Sequence, residues 1–281
     1  MDLATLIGLL FGILSLILGF TMEGGTLGSL FQVTAMMIVF GGTIGAVIVS
    51  TPGKTLRKLP FITKYAFSKP DSSAGATISM LMDLANVSRR EGLLALEGRQ
   101  EEFADDEFMT NGIQMVVDGV DSDVIDDILN RDIELYEQKM LSIGRMYEAA
   151  GGFSPTMGII GTVMGLVHVL GNLSSPSDLG PSIAVAFIAT LYGVASANVV
   201  FLPMFNKIKA HLAQDVLIRQ IKAEGILSVQ FGENTMILRQ KLFAFLSPQE
   251  REEAEREMGS EDGGEDRGMN GAPYQEAGSH E

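Results

Sequence analysis

Residues 3–20 read LATLIGLLFGILSLILGF, without a charged side chain. At about 1.5 Å per residue, a helix of this length extends roughly 27 Å, close to the hydrocarbon thickness of a bilayer. Three further segments are similarly apolar: Val33–Ser50, Phe153–Leu173 and Ile183–Phe205. The pattern predicts four transmembrane helices in two hairpins. A signal peptide is the alternative for the first segment, but basic residues would precede it, whereas here Met1 and Asp2 do.

The composition also indicates a membrane protein. The 281 residues are 46% hydrophobic with a mean hydropathy of +0.24, although 20 Lys and Arg against 35 Asp and Glu give a net charge of −15. Apolar and charged residues must therefore be segregated along the chain. A chain with this excess of acidic residues is poorly suited to binding the phosphates of a nucleic acid, so no nucleic-acid partner is predicted. A sequence with no Cys and only three His argues against disulfides, thiol catalysis and zinc sites.

Basic residues flank the predicted spans on one side. They follow the second and fourth spans, as Lys54, Arg57, Lys58 and Lys64, and as Lys207, Lys209 and Arg219. The connections Thr21–Gln32 and Ser174–Ser182 contain neither Lys nor Arg. Because Lys and Arg accumulate on the cytoplasmic side of membranes, both termini and the long middle segment are predicted to be cytoplasmic.

The chain as a whole is predicted to be an all-α integral membrane protein, because no strand pattern of useful length is present. Its parts are transmembrane helices 1 and 2 in residues 1–50, a cytoplasmic helical domain in 51–147, transmembrane helices 3 and 4 in 148–206, cytoplasmic C-terminal helices in 207–258 and an acidic disordered tail in 259–281.

Local patterns place helices within the cytoplasmic parts. Apolar residues recur at helical spacing from Ile78 to Val87 and from Ile113 to Val117. Asp121 and its neighbours are predicted to cap a helix that runs on toward the third span. Residues 208–246 are predicted to continue the fourth span inward as an amphipathic helix, and Ser247 with Pro248 starts a short charged helix.

The third and fourth spans carry small residues at the spacing of closely packed membrane helices. These residues are Gly158, Gly161 and Gly165 in the third span, and Ala189, Gly193 and Ala197 in the fourth. Pro155 and Pro203, near the inner ends, would free backbone carbonyls or permit bending. An ordinary tightly packed helix pair would show the same motifs, so the residues alone leave both interpretations open.

These two spans contain no Asp, Glu, Lys or Arg, and His168, near the outer end of the third, is their single histidine. A neutral, hydrogen-bonded His168 is favoured over a proton relay. Thr162 and Thr190 add hydroxyl oxygens, although a threonine hydroxyl commonly bonds its own helix backbone. If this protein conducts ions, a carboxylate must therefore come from another chain.

Several ordered segments resemble one family, the A-subunits of bacterial flagellar stators of the MotA/PomA type. The resemblance covers the chain except the acidic tail. The matching segments are Met1–Leu6, Val39–Thr43, Ser88–Glu97, Met115–Gly119, Ser154–Leu166, Asp178–Pro181 and Ala189–Gly193. Related energising subunits of the ExbB/TolQ kind for outer-membrane transport remain the alternative function, and a scaffolding membrane protein is a further one. Those energising subunits have three spans, so four spans favour the flagellar branch.

The resemblance implies a ring of five such chains around two B-type subunits in the bacterial inner membrane. The B-type subunit supplies a transmembrane Asp and a peptidoglycan-binding domain. Ion flow through the complex turns the ring, with no covalent chemistry, so the chain is expected to be neither an enzyme nor a cofactor binder. The resemblance also implies that Arg89, Arg90 and Glu97 contact the C-terminal domain of the rotor switch protein. Relatives carry further acids after Glu97, where this chain has Gly98, Arg99 and Gln100.

By the same resemblance, the ion pathway includes Thr162, Thr190, Pro155, Pro203, Gly158 and Tyr192. Thr162, Thr190 and Tyr192 match the sodium-driven branch of the family, and the two threonines would contact the ion transiently. Ala189 stands where the closest sodium-type motifs have another threonine. Sodium is therefore favoured as the coupling ion, and protons are the alternative.

Overall fold

The computed structural model describes residues 3–68, 73–171 and 176–265, and their regular structure is helical throughout. In chain order the helices are α1 (Leu3–Met22), α2 (Val33–Met36, Met37–Gly41 and Gly42–Ser50), α3 (Gly53–Leu56), α4 (Leu59–Phe67), α5 (Ala74–Glu91), α6 (Glu107–Val117), α7 (Ser122–Gly171), α8 (Pro176–Ala195, Ser196–Phe201 and Leu202–Gln230), α9 (Thr235–Phe243) and α10 (Pro248–Glu265). Short 3-10 segments cover Leu27–Leu30 and Leu93–Phe103. The four predicted apolar helices are present, because α1, α2, α7 and α8 each contain a segment long and apolar enough to cross a membrane.

One compact unit, called the span unit below, comprises Met1–Pro70 and Leu135–Gln214. Ala35 and Val39 on one face of α2 are fully buried against Ile188 and Ala189 of α8. Outward-facing apolar side chains on α1, α7 and α8 are largely exposed, as expected for helices that contact lipid or another chain.

Two membrane helices of the span unit contain π-helical segments that the sequence did not reveal. In α2 the segment is Met37–Gly41, and in α8 it is Ser196–Phe201, directly before Leu202 and Pro203. A π-helical segment inserts one residue into a helical turn and interrupts the regular hydrogen-bond ladder. Both helices therefore change register within their apolar stretches.

The other compact unit, called the charged unit below, comprises Asp71–Glu134 and Asp215–Glu281. Its core contains fully buried side chains from five helices: Leu81, Leu84, Ile113, Ile125, Ile226 and Leu238. The Asp106 side chain accepts the Met109 N–H at 3.2 Å, which caps α6, and it also pairs with Lys222, whose side chain is 9% exposed. Segments distant in sequence therefore share one core.

The predicted helix starts are confirmed by cap geometry. Asp121 Oδ1 accepts the Asp123 N–H at 3.0 Å ahead of α7, which runs through the third span as expected. The Glu250 side chain accepts the Ser247 N–H at 2.8 Å, which closes a capping box at the start of α10.

Three predicted element boundaries change. The helix expected over residues 208–246 is broken after Gln230, because Gly232 adopts φ 63° and Asn234 caps a new helix through the Met236 N–H. The fourth membrane helix begins at Pro176, within the predicted loop Ser174–Ser182. The last helix extends to Glu265, past the predicted start of the tail at Gly259, and the rest of that tail lies outside the described residues.

Two carboxyl groups of the charged unit have lowered pKa values. Burial is the largest single effect and raises the pKa of Glu233, but the hydrogen bond from Lys241 Nζ at 2.8 Å, the Ser228 hydroxyl and the charge of Lys241 together outweigh it and leave the pKa below its ordinary 4.5. Hydrogen bonds from the Ser247 side chain and backbone lower the pKa of Glu250. Both carboxylates therefore stabilise the folded state in their ionised form.

Acid is expected to destabilise the charged unit through these two groups. A group with a lowered folded-state pKa contributes stability above its unfolded pKa, and this stability is lost as the pH falls through the folded value. Because both groups are partly exposed, each contributes no more than about 1 kcal/mol to the free energy of unfolding.

Guanidinium unfolding of the full chain at pH 7 and below pH 4 measures the loss of this stability. The double variant Glu233→Gln with Glu250→Gln should lose less stability in acid, whereas Glu253→Gln, an exposed control, should behave as wild type. Equal losses in all three proteins would contradict this assignment.

Candidate functional site

In the span unit, α7 and α8 pack closely against each other. This packing involves six small residues, called the glycine seam below: Gly158, Gly161 and Gly165 on α7, and Ala186, Ala189 and Gly193 on α8. A Cβ built on Gly158 would lie 2.9 Å from the Ala189 carbonyl oxygen, and one on Gly193 would lie 2.5 Å from the Ser154 carbonyl oxygen. Both obstacles are backbone atoms, which cannot rotate away. The backbones therefore approach so closely that no side chain fits between them at these points.

Two hydroxyls lie inside the glycine seam. Thr162 Oγ1 is 3.1 Å from the Gly158 carbonyl oxygen and 2.9 Å from the Ala186 carbonyl oxygen, and it is also hydrogen-bonded to Thr190 Oγ1. The bond to Gly158 is the local backbone bond expected of a helical threonine. The contacts with Ala186 and Thr190 connect the two helices and are not explained by that local preference.

The hydroxyl pair and the two carbonyl oxygens beside it share fewer hydroxyl protons than they have oxygens. Each threonine hydroxyl has one proton and two lone pairs, so Thr162 and Thr190 supply two protons to a group of four oxygens that includes the Gly158 and Ala186 carbonyls. Unused lone pairs therefore converge at this point in helices that contain no Asp, Glu, Lys or Arg along residues 153–171 and 183–205. Such a group of oxygens favours a cation or a protonated acid brought by another molecule.

A second set of hydroxyls accompanies the register changes. The fully buried Ser154 Oγ lies 2.7 Å from Ser196 Oγ at the start of the π-helical segment of α8, and Ser196 donates to the Gly193 carbonyl at 3.2 Å. Thr43, 2% exposed, follows the π-helical segment of α2, and its Oγ1 has no hydrogen-bond partner among the described residues. Sequence analysis did not single out these three residues, because isolated Ser and Thr in apolar segments carry no spacing pattern.

Tyr192 lies apart from the hydroxyl pair. Its hydroxyl donates to the Leu30 carbonyl and accepts the Gln32 N–H at 3.2 Å, and its ring lies 6.0 Å from that of Phe40. Residues two positions apart on a helix point in different directions, which separates Tyr192 from Thr190. Tyr192 therefore joins α8 to the segment before α2 and does not contribute an oxygen to the pair.

Both prolines predicted for the ion pathway lie within continuous helices. Pro155 leaves the Gly151 carbonyl without its helical donor, and Pro203, two residues after the π-helical segment, has no N–H to donate to the preceding turn. A Cβ on Gly151 would lie 2.5 Å from Leu202 Cδ2, beside Pro203. The two interruptions of the backbone hydrogen-bond ladder are therefore adjacent across the α7 and α8 pair.

The charges predicted to face the rotor lie at the surface of the charged unit. Arg89 and Arg90 lie in the last turn of α5, Glu97 lies in the following 3-10 segment, and all three are exposed without an ion pair to any described residue. Arg99, in contrast, contacts Asp83 at 2.6 Å and Glu102 at 2.7 Å, and these hydrogen bonds raise its pKa. Arg99 is therefore engaged within its own unit, whereas the other three charges are available to another molecule.

Known protein families and individual relatives match this chain along most of its length. The family described as MotA/TolQ/ExbB proton channel matches residues 100–221, and the one described as Motility protein A N-terminal matches residues 6–92. Motility protein A of Bacillus subtilis is 34% identical over 252 residues, which cover 89% of this chain and 93% of that protein. Chemotaxis protein PomA of Vibrio alginolyticus is 35% identical over 252 residues, covering 89% and 98%.

Solved structures show the same similarity. A chain of the flagellar MotAB stator complex from Bacillus subtilis superposes with a TM-score of 0.84 at 33% identity, covering 89% of this chain and 98% of that chain. A chain of C. jejuni MotAB also gives 0.84, at 31% identity, covering 88% and 97%. The similarity therefore extends over both compact units.

Proposed function

This chain belongs to the flagellar stator A-subunit family of the MotA/PomA type, and we propose that it converts ion flow across the bacterial inner membrane into torque on the flagellar rotor. It does so as a ring of five copies around two B-type subunits, with both termini in the cytoplasm. The hydroxyl pair in the glycine seam is the observation that carries the proposal. It offers oxygens to an ion in spans that lack a carboxylate, and so needs the transmembrane Asp of a B-type partner.

An energising subunit for outer-membrane transport, of the ExbB/TolQ kind, is the second candidate. The match of residues 6–92 to a motility-protein domain and the four apolar helices favour the stator. Expression with its B-type partner in a stator-deleted bacterium is expected to restore swimming. An absence of swimming with both proteins present in the membrane would contradict the proposed function.

The free energy released by one ion crossing the membrane limits the strength of the contacts that the ring can make with the rotor and still break at each step. A monovalent cation crossing about 150 mV releases roughly 3.5 kcal/mol. Exposed ion pairs contribute about 0–1 kcal/mol each. Contacts through Arg89, Arg90 and Glu97 would therefore form and break within the energy of a single step, as torque generation requires.

Sodium is the proposed coupling ion, with protons as the alternative. A sodium ion must exchange its water shell for several oxygens, whereas a proton needs only a titratable carboxylate. Thr162, Thr190 and the Ala186 carbonyl place three oxygens at one point between α7 and α8. With the partner's carboxylate they would provide a partial coordination shell.

Replacing Thr162 tests the ion assignment. Thr162→Ala is expected to slow swimming at least several-fold and to raise the sodium concentration for half-maximal speed, because one oxygen of the shell is removed. Thr162→Ser should retain most of the speed. Thr156→Ala is the matched control, because Thr156 is exposed on the same helix and bonds only the Phe153 carbonyl. Full wild-type speed in sodium-free medium at fixed membrane potential would instead make the motor proton-driven.

Pro155 and Pro203 are proposed to couple ion binding to helix movement. Each interrupts the backbone ladder, and the π-helical segment Ser196–Phe201 precedes Pro203. A helix without these constraints would transmit less movement from the hydroxyl pair, although its packing would be retained.

Replacing either proline restores the backbone hydrogen-bond ladder of its helix, and this should reduce torque without disrupting assembly. Pro155→Ala and Pro203→Ala are each expected to lower the rotation rate of tethered cells at least several-fold while the amount of complex in the membrane is unchanged. Pro60→Ala is the control, because Pro60 lies in the first turn of α4 and frees no helical carbonyl. Wild-type rotation in both pathway variants would refute the coupling role.

A further inference from the structure

A short amphipathic helix follows the second span almost immediately. The apolar helix α2 ends at Ser50, and α4 begins at Leu59. One face of α4 is fixed to the span unit, because Ile62 and Ala66 are fully buried and the Thr63 and Tyr147 hydroxyls are 2.7 Å apart. The position of the opposite face is therefore defined by the body of the span unit.

The opposite face of α4 combines an exposed aromatic ring with cations. Phe61 is 55% exposed, and Lys64, three residues later, lies on the same side of the helix. Arg57 is exposed in the turn just before α4. Lys54 and Lys58 are also exposed. Within the described part of the chain, none of these four cations forms an ion pair with a carboxylate.

We propose that this face of α4 binds the headgroups of anionic phospholipids. Its place just beyond a membrane span brings it to the headgroup region, where aromatic rings settle and Lys and Arg attract negative lipids. A cluster of cations without acidic partners fits phosphate better than it fits a second copy of the same cationic surface. The inference uses the proposed insertion of the span unit and is independent of torque, so its failure would leave the stator function untouched.

A single tryptophan can report on this site, because the chain contains none. The full-length Phe61→Trp variant is placed in vesicles of phosphatidylcholine with either brominated phosphatidylglycerol or brominated phosphatidylcholine as a minor component. At constant ionic strength, the brominated anionic lipid is expected to quench the fluorescence more strongly than the neutral one. Phe31→Trp, an exposed position before α2, should be quenched equally by both. Added inorganic phosphate should not change the quenching, and competition by phosphate would contradict lipid binding.

Removing the cations separates this site from a general effect of charge. Combining Phe61→Trp with Arg57→Gln, Lys58→Gln and Lys64→Gln is expected to abolish the preference, because each cation near an anionic surface contributes roughly a fivefold change in affinity. The matched control substitutes Arg131, Arg239 and Arg256 of the charged unit by Gln and should retain the preference. Equal quenching of Phe61→Trp by the two lipids would overturn the proposal. Weak quenching by both lipids, which is the result expected if another copy covers the face, would also overturn it.

Discussion

Replacing Gly193 by Ala is expected to abolish motility and to destabilise the span unit by about 3 kcal/mol, at the upper end of the range for overpacking in a close-packed site. The added methyl would lie 2.5 Å from the Ser154 carbonyl oxygen, and a second backbone atom, Gly158 Cα, would be only 3.1 Å away. To relieve this steric clash, α7 and α8 must move apart, and this movement would also separate Thr162 from Thr190. Thermal unfolding in detergent measures the stability, and swimming in soft agar measures the motility.

Gly152→Ala provides the matched control for this prediction. Gly152 lies on α7, the helix that faces Gly193, and a Cβ there meets no atom within 4 Å. This variant should keep the wild-type melting temperature and motility, or gain slightly in stability because alanine favours the helix. Wild-type motility of Gly193→Ala would show that the close approach is not needed for function.

Reversing the three unpaired charges of the charged unit is expected to stop rotation. The variant combines Arg89→Glu, Arg90→Glu and Glu97→Arg, so every attraction to the rotor becomes a repulsion. Folding and membrane insertion should be unaffected, because these side chains are exposed and make no ion pair to another described residue. A compensating charge reversal on the rotor protein should partly restore swimming.

The control for the charge reversal exchanges a pair on the same unit. Arg131 and Glu134 form an exposed ion pair of 3.3 Å, and Arg131→Glu with Glu134→Arg keeps the net charge. This exchange should leave motility near the wild-type level, since a surface pair contributes about 0–1 kcal/mol. Normal swimming of the triple variant, with the protein at its usual level in the membrane, would refute an electrostatic rotor interface.

Apolar length and charge placement were sufficient to predict the membrane helices. Segments such as Leu3–Phe20 are unambiguous because a bilayer requires a fixed length of uncharged helix. The cap of α7 at Asp121 was also predictable, because its hydrogen bond is local in sequence. The break after Gln230 was missed although Gly232 and Asn234 mark it, because the apolar spacing continues on both sides.

The candidate site was only partly predictable for a different reason. Small residues at Gly158 and Gly193 indicated close helices, but the convergence of Thr162, Thr190 and the Ala186 carbonyl depends on how α7 and α8 pack. Tyr192 was grouped with the threonines from resemblance, whereas its hydroxyl bonds Leu30. The π-helical segments have no sequence periodicity of their own, so the register of Ser196 could not be derived beforehand.

The rotation rate of tethered cells tests the central claim that this chain supplies hydroxyls and close packing while a partner supplies the carboxylate. A stator-deleted strain would express the chain alone, with its B-type partner, or with a partner in which the transmembrane Asp is replaced by Asn. Rotation is expected only with the unaltered partner, because the described spans of this chain contain no acidic side chain to bind the ion. Rotation with the chain alone or with the Asn-bearing partner would contradict the claim.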